Sequence, residues 1–156
     1  MNTFPPTIIL RHRKENLKKC SLRGLEHRED FHFFTYPKDP LPDLTGYALL
    51  TLDAPVLSPQ DADKGLFLID GTWRHAQTML RQLGSNPPLC RSIPPGYVTA
   101  YPRRQEDCSD PNRGLASVEA LYIAYYLLKR PVAGLLDNYY WKEVFLQRNN
   151  FSTHLD

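Results

Sequence analysis

The sequence predicts an α/β protein with a mostly parallel sheet. Short apolar segments alternate with segments of helical periodicity, and the apolar run at residues 66–69 ends abruptly in Asp70-Gly71-Thr72-Trp73. Alternating strands and helices favour parallel strands, because each helix returns the chain to the same edge of the sheet. A buried carboxylate is costly unless it is hydrogen-bonded or used. A strand that ends in one is typical of the edge where α/β proteins bind ligands.

The predicted strands are short apolar or aromatic segments bounded by turn residues or charged residues. They are Thr7–Leu10, Phe31–Tyr36, Tyr47–Leu52 and Leu66–Ile69, with a weaker candidate at Tyr97–Ala100.

The predicted helices carry recognisable start and stop signals. Ser58-Pro59-Gln60-Asp61 has a capping serine, a proline at the first helical position and an acid at the third. A second helix covers Trp73–Leu83 and a third covers 118–129, where Ser117 is the predicted cap. A final helix is expected over about 134–148, with a buried face formed by Leu135, Leu136, Tyr139, Tyr140, Val144 and Phe145.

A proline-rich loop at residues 37–42 suggests a division of the chain. We expect a small, basic N-terminal lobe over 1–42 and a ligand-binding region over 43–156, or alternatively one compact domain. A length of 156 residues is compatible with both arrangements.

Composition limits the class of protein. Hydrophobic residues make up 42% of the chain and the formal net charge is only +2, as in an ordinary globular protein. The chain has three cysteines, an odd number without C-x-x-C spacing, and it has no apolar run long enough to span a membrane. We therefore expect a cytoplasmic protein with reduced thiols. The spacing of the five histidines predicts no metal site.

Positive charge is concentrated in residues 11–28, which hold seven lysines and arginines against Glu15 and Glu26. Such a run is either a solvated face or a surface that contacts phosphate groups. The candidates for phosphate contact are Arg11, Arg13, Lys14, Lys18 and Lys19.

Two motifs are candidates for chemistry. The first motif is Asp70-Gly71-Thr72-Trp73. In a purely structural interpretation, Asp70 and Thr72 are turn and cap residues and Trp73 anchors the core. In a functional interpretation, Trp73 packs on an adenine or base ring and Asp70 accepts a hydrogen bond from a ligand. In the second motif, Gly114 and the helix start near Ser117 form an ordinary cap, or else an anion site. Dinucleotide, P-loop, zinc-protease and serine-hydrolase motifs do not occur in the sequence.

Four blocks together resemble the DTW-domain superfamily of RNA aminocarboxypropyltransferases, most closely the branch that modifies small-subunit rRNA. They are Lys18-Lys19-Cys20-Ser21, Leu57-Ser58-Pro59 with Asp61, Asp70-Gly71-Thr72-Trp73 and Leu115-Ala116-Ser117-Val118-Glu119-Ala120. A weaker fifth block combines Trp141, Phe145, Leu146 and Asn149. The resemblance covers about residues 8 to 150.

The resemblance implies a SPOUT-like fold with a knotted C-terminal region, and S-adenosylmethionine as donor of a 3-amino-3-carboxypropyl group. The acceptor would be N3 of a uridine or pseudouridine in RNA, with rRNA favoured because the chain lacks the N-terminal cysteine cluster of the tRNA branch. Trp73 would pack on adenine, and Ser21, Ile93, Leu115 and Ser117 would complete the cofactor site.

The resemblance also implies catalytic acids, for which Asp70 and Glu119 are the candidates. A carboxylate can accept the weakly acidic N3 proton, or it can attract the positive sulfonium. Ala116 stands where the family usually has a hydroxyl residue, which puts one cofactor hydrogen bond in doubt. A SPOUT-type RNA methyltransferase and a non-catalytic RNA-binding or ribosome-assembly module are the alternatives.

Overall fold

The computed structural model describes residues 4–14, 21–51, 54–70, 73–83, 88–100 and 115–151. Within these ranges, five strands form one parallel sheet: β1 (Thr7–His12), β2 (Phe31–Tyr36), β3 (Tyr47–Leu50), β4 (Gly65–Asp70) and β5 (Leu89–Arg91). Three α-helices accompany them: α1 (Trp73–Gln82), α2 (Ser117–Leu127) and α3 (Lys142–Arg148). The predicted α/β class and parallel sheet are confirmed.

The strand order is β2-β1-β4-β3-β5, so β1 and β4 are neighbours near the middle of the sheet. After β1 the chain continues to β2, on one side of the central pair of strands. After β4 it continues through α1 to β5, on the opposite side of that pair. Such a reversal of direction leaves a crevice at the carboxyl ends of the two strands. β1 and β2, which both lie within residues 1–42, are part of the same sheet as the later strands.

Both faces of the sheet are covered, which is why β1 is buried along its whole length. One face, carrying Ile8, Leu10 and Phe67, packs with Met79 of α1. The opposite face packs with α2 and α3; it includes Ile9, Leu66 and Leu68, in one cluster with Leu121 and Phe145. Because side chains alternate along a strand, Arg11 and Asp70 point to the α2 side and His12 to the α1 side.

Several predicted boundaries hold closely. Phe31–Tyr36 is a strand as predicted, and β4 and α1 agree within one residue at each end. α2 begins at Ser117, one residue before the predicted start, so Ala116 and not Ser117 is the N-cap. The helix predicted from Ser58 is a single 3-10 turn, Pro59–Asp61, in which the Ser58 N–H donates to the Asp61 carboxylate at 3.2 Å. The capping residues therefore predicted the position of the turn correctly, but the predicted helix does not continue beyond it.

The strand predicted at Tyr97–Ala100 is wrong. Its backbone donates to side chains instead: the Val98 N–H to Asn149 Oδ1 at 2.7 Å and the Ala100 N–H to Glu119 Oε2 at 2.8 Å. The fifth strand is instead β5, a three-residue segment that was not predicted.

The last helix is shorter than predicted, since α3 begins only at Lys142. Residues 132–142 form successive turns with bonds such as Tyr139 N–H to the Leu136 carbonyl, and Gly134 has a φ of 83°. Leu136 and Tyr139 are buried as predicted, but Tyr140 is 84% exposed because the helical periodicity does not reach it.

Candidate active site at the carboxyl ends of β1 and β4

Asp70 lies at the crevice between the two central strands. The register pairs it with Arg11 of β1, and its side chain is almost fully buried. Arg11 Nε donates to Asp70 Oδ2 at 3.3 Å, and Ser117 Oγ donates to Asp70 Oδ1 at 3.1 Å. Both carboxylate oxygens are thus engaged, one by a cation from β1 and one by a hydroxyl from α2.

Arg11 also joins a second acid. Its NH1 donates to Glu26 Oε2 at 2.9 Å, and its guanidinium lies 4.6 Å from the centre of the Phe33 ring. Burial acts to raise the pKa of Glu26, but its hydrogen bonds, including those from Arg11 and the Gly24 N–H, outweigh this and lower it. Arg11 thereby links the Asp70 end of β4 to Glu26 and Gly24, near the end of the basic run.

Ser21 lies at the first turn of α2. Its Oγ accepts a hydrogen bond from the Val118 N–H at 3.2 Å. Ala116 occupies the N-cap position and has no side-chain oxygen, so Ser21 supplies from a distant part of the chain the acceptor that a capping residue normally provides. The structure thus brings Ser21, Ser117, Asp70 and Arg11 into one connected group.

Glu119 has different surroundings. Its carboxylate is fully buried and accepts four hydrogen bonds. The donors are Thr99 Oγ1 at 2.5 Å, the Ala100 N–H at 2.8 Å, the Ala116 N–H at 2.8 Å and the Tyr139 hydroxyl at 2.9 Å. These contacts join the start of α2 to residues 99–100 and to the turn before α3, which is an arrangement that holds structure together.

The remaining candidates divide by exposure. Ile93 and Leu115 are half-buried and pack against the α2-side core, and Trp73 begins α1. Arg13 and Lys14 are exposed, whereas Arg11 is 8% exposed. Lys18 and Lys19 lie outside the described residues. Within the described ranges, no group of His, Cys, Asp and Glu is arranged to hold a metal ion.

On the other side of β1, the rings of His12 and His75 of α1 stack at 3.7 Å between centroids. The Lys14 N–H donates to His12 Nδ1 at 3.1 Å. Burial, followed by the nearby charges of His75, Lys14 and Arg13, lowers the pKa of His12. The neutral imidazole is therefore the form that this pairing accommodates.

A cavity of about 610 Å³ lies away from this group, at the amino ends of the strands. Its lining includes Tyr47 at the start of β3, Lys64 just before β4 and Leu89 at the start of β5. In a parallel sheet this is the edge opposite Asp70, so the cavity does not belong to the candidate site.

No family model matches the chain, and no curated protein does. The chain is similar to a solved structure, the SAM-dependent rRNA:acp-transferase Tsr3 from Vulcanisaeta distributa, with 23% sequence identity and a TM-score of 0.72. The similarity covers 94% of this chain and 79% of that one. The two proteins share a fold.

Sequence reasoning missed the part that Arg11 and Glu26 play beside Asp70. The predicted first strand stopped at Leu10, one residue short of Arg11. In the structure β1 continues to His12, and its register with β4 pairs Arg11 with Asp70. Glu26 carried a weaker signal, as one of two acids within the basic run.

Proposed function

We propose that the protein transfers the 3-amino-3-carboxypropyl group of S-adenosylmethionine to N3 of a uridine or pseudouridine in RNA, with rRNA favoured over tRNA. The hydrogen bond between Ser117 and Asp70 carries this proposal. It joins two sequence blocks separated by 47 positions at the crevice where α/β sheets bind ligands. The fold shared with an rRNA:acp-transferase adds support.

The chemistry of the side chains fits S-adenosylmethionine, which has a positive sulfonium, a positive amino group and a negative carboxylate. Asp70 offers a carboxylate to a cation, and the first turn of α2 beside Ser21 and Ser117 offers hydroxyls and the positive end of a helix dipole. In the proposal, Trp73 packs on the adenine and Leu115 and Ile93 contribute apolar walls.

S-adenosylmethionine supplies, when bound, an electrophilic carbon attached to a good leaving group. The protein then chiefly has to hold the acceptor nitrogen in line with that carbon and keep water away. Asp70 either accepts the proton that N3 loses or pairs with the cation of the donor. Both roles need an oriented carboxylate, and Arg11 and Ser117 each hold one oxygen of Asp70 by a hydrogen bond.

RNA contact is proposed for the exposed residues Arg13 and Lys14, together with Lys18 and Lys19. A knotted C-terminal region and a cytoplasmic location belong to the same proposal. A crystal structure of the protein tests the knot. In the described part of the chain, no helix is long and apolar enough to cross a membrane.

Two differently labelled cofactors test the reaction. The protein is incubated with rRNA and with S-adenosylmethionine labelled either in the aminocarboxypropyl carbons or in the methyl group. We expect only the first label to enter RNA, with methylthioadenosine as the second product. Methyl transfer with S-adenosylhomocysteine would indicate a methyltransferase, and RNA binding without any transfer would indicate a non-catalytic module.

Two variants connect the reaction to the site. Asp70→Asn should abolish or strongly reduce transfer, because the amide neither accepts the proton nor attracts a cation. Asp63→Asn is the matched control, since the Asp63 side chain is 87% exposed and its contact with Lys64 is long, at 3.9 Å. Equal transfer by the two variants would remove Asp70 from the site.

A further inference from the structure

Arg11 belongs to the basic run and would be expected to contact RNA phosphate, but the structure gives it other partners. Its side chain is buried to about the same extent as that of Asp70, with 9% and 7% exposed. A guanidinium in this position is not available to a phosphate on the surface, in contrast to the exposed Arg13 and Lys14.

The geometry of Arg11 suits a bridge. Nε donates to one Asp70 oxygen at 3.3 Å and NH1 donates to Glu26 at 2.9 Å, while the guanidinium carbon lies over the Phe33 ring, 4.6 Å from its centre. A guanidinium presents several donors in a rigid fork, so one group can hold two carboxylates at once. Glu26 in turn accepts from the Gly24 N–H at 2.7 Å, three positions after Ser21.

We infer that Arg11 is a positioning residue, which orients the Asp70 carboxylate through its ion pair and ties it through Glu26 to the segment that carries Ser21. This inference rests on the proposed function. The Arg11 side chain then fixes two parts of the site relative to each other. These parts are the end of β4 and the segment with Ser21, which caps α2. Misplacing a catalytic group by about 1 Å costs roughly 100-fold in rate, so such a bridge has a direct effect on transfer.

Arg11→Lys, Arg11→Met and Glu26→Gln test this role. We expect Arg11→Met to lower kcat for transfer by about 10- to 100-fold. KM for RNA and the salt dependence of RNA binding should stay at the wild-type values. Lysine keeps the charge but not the fork, so Arg11→Lys should recover part of the lost kcat, and Glu26→Gln should cause a smaller loss.

Arg28→Lys is the matched structural control. Arg28 also forms an ion pair, with Asp30 at 2.9 Å, and lies 5.6 Å from the Phe31 ring, but at the amino end of the sheet. The Arg28→Lys variant should leave kcat for transfer unchanged. Arg13→Ala is the control for RNA contact and should reduce the slope of RNA affinity against salt, since phosphate contacts release counterions.

A double-mutant cycle supplies a readout that does not depend on activity. If Arg11 holds Asp70, the Tm losses of Arg11→Met and Asp70→Asn should be clearly non-additive, because each removes the partner of the other. Additive Tm losses would overturn the inference, as would an Arg11→Met variant that keeps kcat and loses RNA affinity. If the wild-type protein transfers no aminocarboxypropyl group, the proposed function fails, whereas the cycle still decides whether Arg11 positions Asp70.

Discussion

Replacing Glu119 by glutamine tests whether this buried carboxylate serves stability or chemistry. Each of its oxygens accepts from one backbone N–H and one hydroxyl. In the variant, one oxygen becomes an NH2 group. The hydroxyl on that side can rotate and accept, but the N–H of Ala100 or Ala116 then faces a donor. Leaving a buried donor unpaired costs about 1–3 kcal/mol.

The three remaining bonds also lose their charge assistance, so we expect Glu119→Gln to lower the free energy of unfolding by about 2–4 kcal/mol in total. For a chain of this length that corresponds to a fall in Tm of about 5–15 °C. Urea and thermal unfolding measure both quantities. Glu143→Gln, on the exposed side of α3, is the matched control and should change the unfolding free energy by less than about 0.5 kcal/mol.

The same variant separates the two roles of Glu119 when transfer is measured well below its Tm. A structural role predicts that transfer per folded molecule stays close to the wild-type rate. A Glu119→Gln protein with unchanged Tm and no transfer would refute the structural reasoning and restore Glu119 as a catalytic acid.

Three further predictions address the rest of the site. Trp73→Ala should weaken binding of S-adenosylmethionine by about 1–3 kcal/mol through lost aromatic packing, as calorimetry can measure; unchanged affinity in a folded variant would remove Trp73 from the pocket. The double variant Arg13→Ala, Lys14→Ala should bind RNA more weakly and with a shallower salt slope, and a slope equal to wild type would mark these residues as merely solvated. Because the pKa of His12 is lowered in the fold, the unfolded chain takes up the proton first, and stability should fall as pH drops below about 6.5. Urea unfolding at about pH 7.5 and 5.5 should show this fall, and His12→Phe should reduce it; an equal fall in the variant would exclude His12 as its source.

Local patterns predicted the elements that depend on neighbouring residues. Phe31–Tyr36 and the end of β4 at Asp70 follow from side-chain composition and from the abrupt change of polarity. The turn at Pro59–Asp61 follows from its capping serine and first-position proline. Each of these signals lies within a few positions of the structure it specifies, which is why it can be read directly.

Other elements depended on partners far along the chain. The segment at 97–100 has the composition of a strand, but Glu119 and Asn149 take its backbone hydrogen bonds. β5 carries too few residues to show a period, and its pairing with β3 defines it. Tyr140 is exposed because a left-handed Gly134 and successive turns replace the expected helix.

The sequence by itself determined the α/β class, the strand that leads to Asp70 and, within one residue, the start of α2, because periodicity and capping act over a few residues. Only the tertiary structure decided that Ser117 and Arg11 meet at Asp70, since the strand order brings positions 47 and 59 residues away to one edge of the sheet. The tertiary structure also decided that Arg11, one of the cations of the basic run, is buried and bonded to Asp70 and Glu26. The distribution of charge along a sequence does not specify which charged side chains become buried. An exposed cation can contact a phosphate, whereas a buried one such as Arg11 can only orient the groups it is packed against.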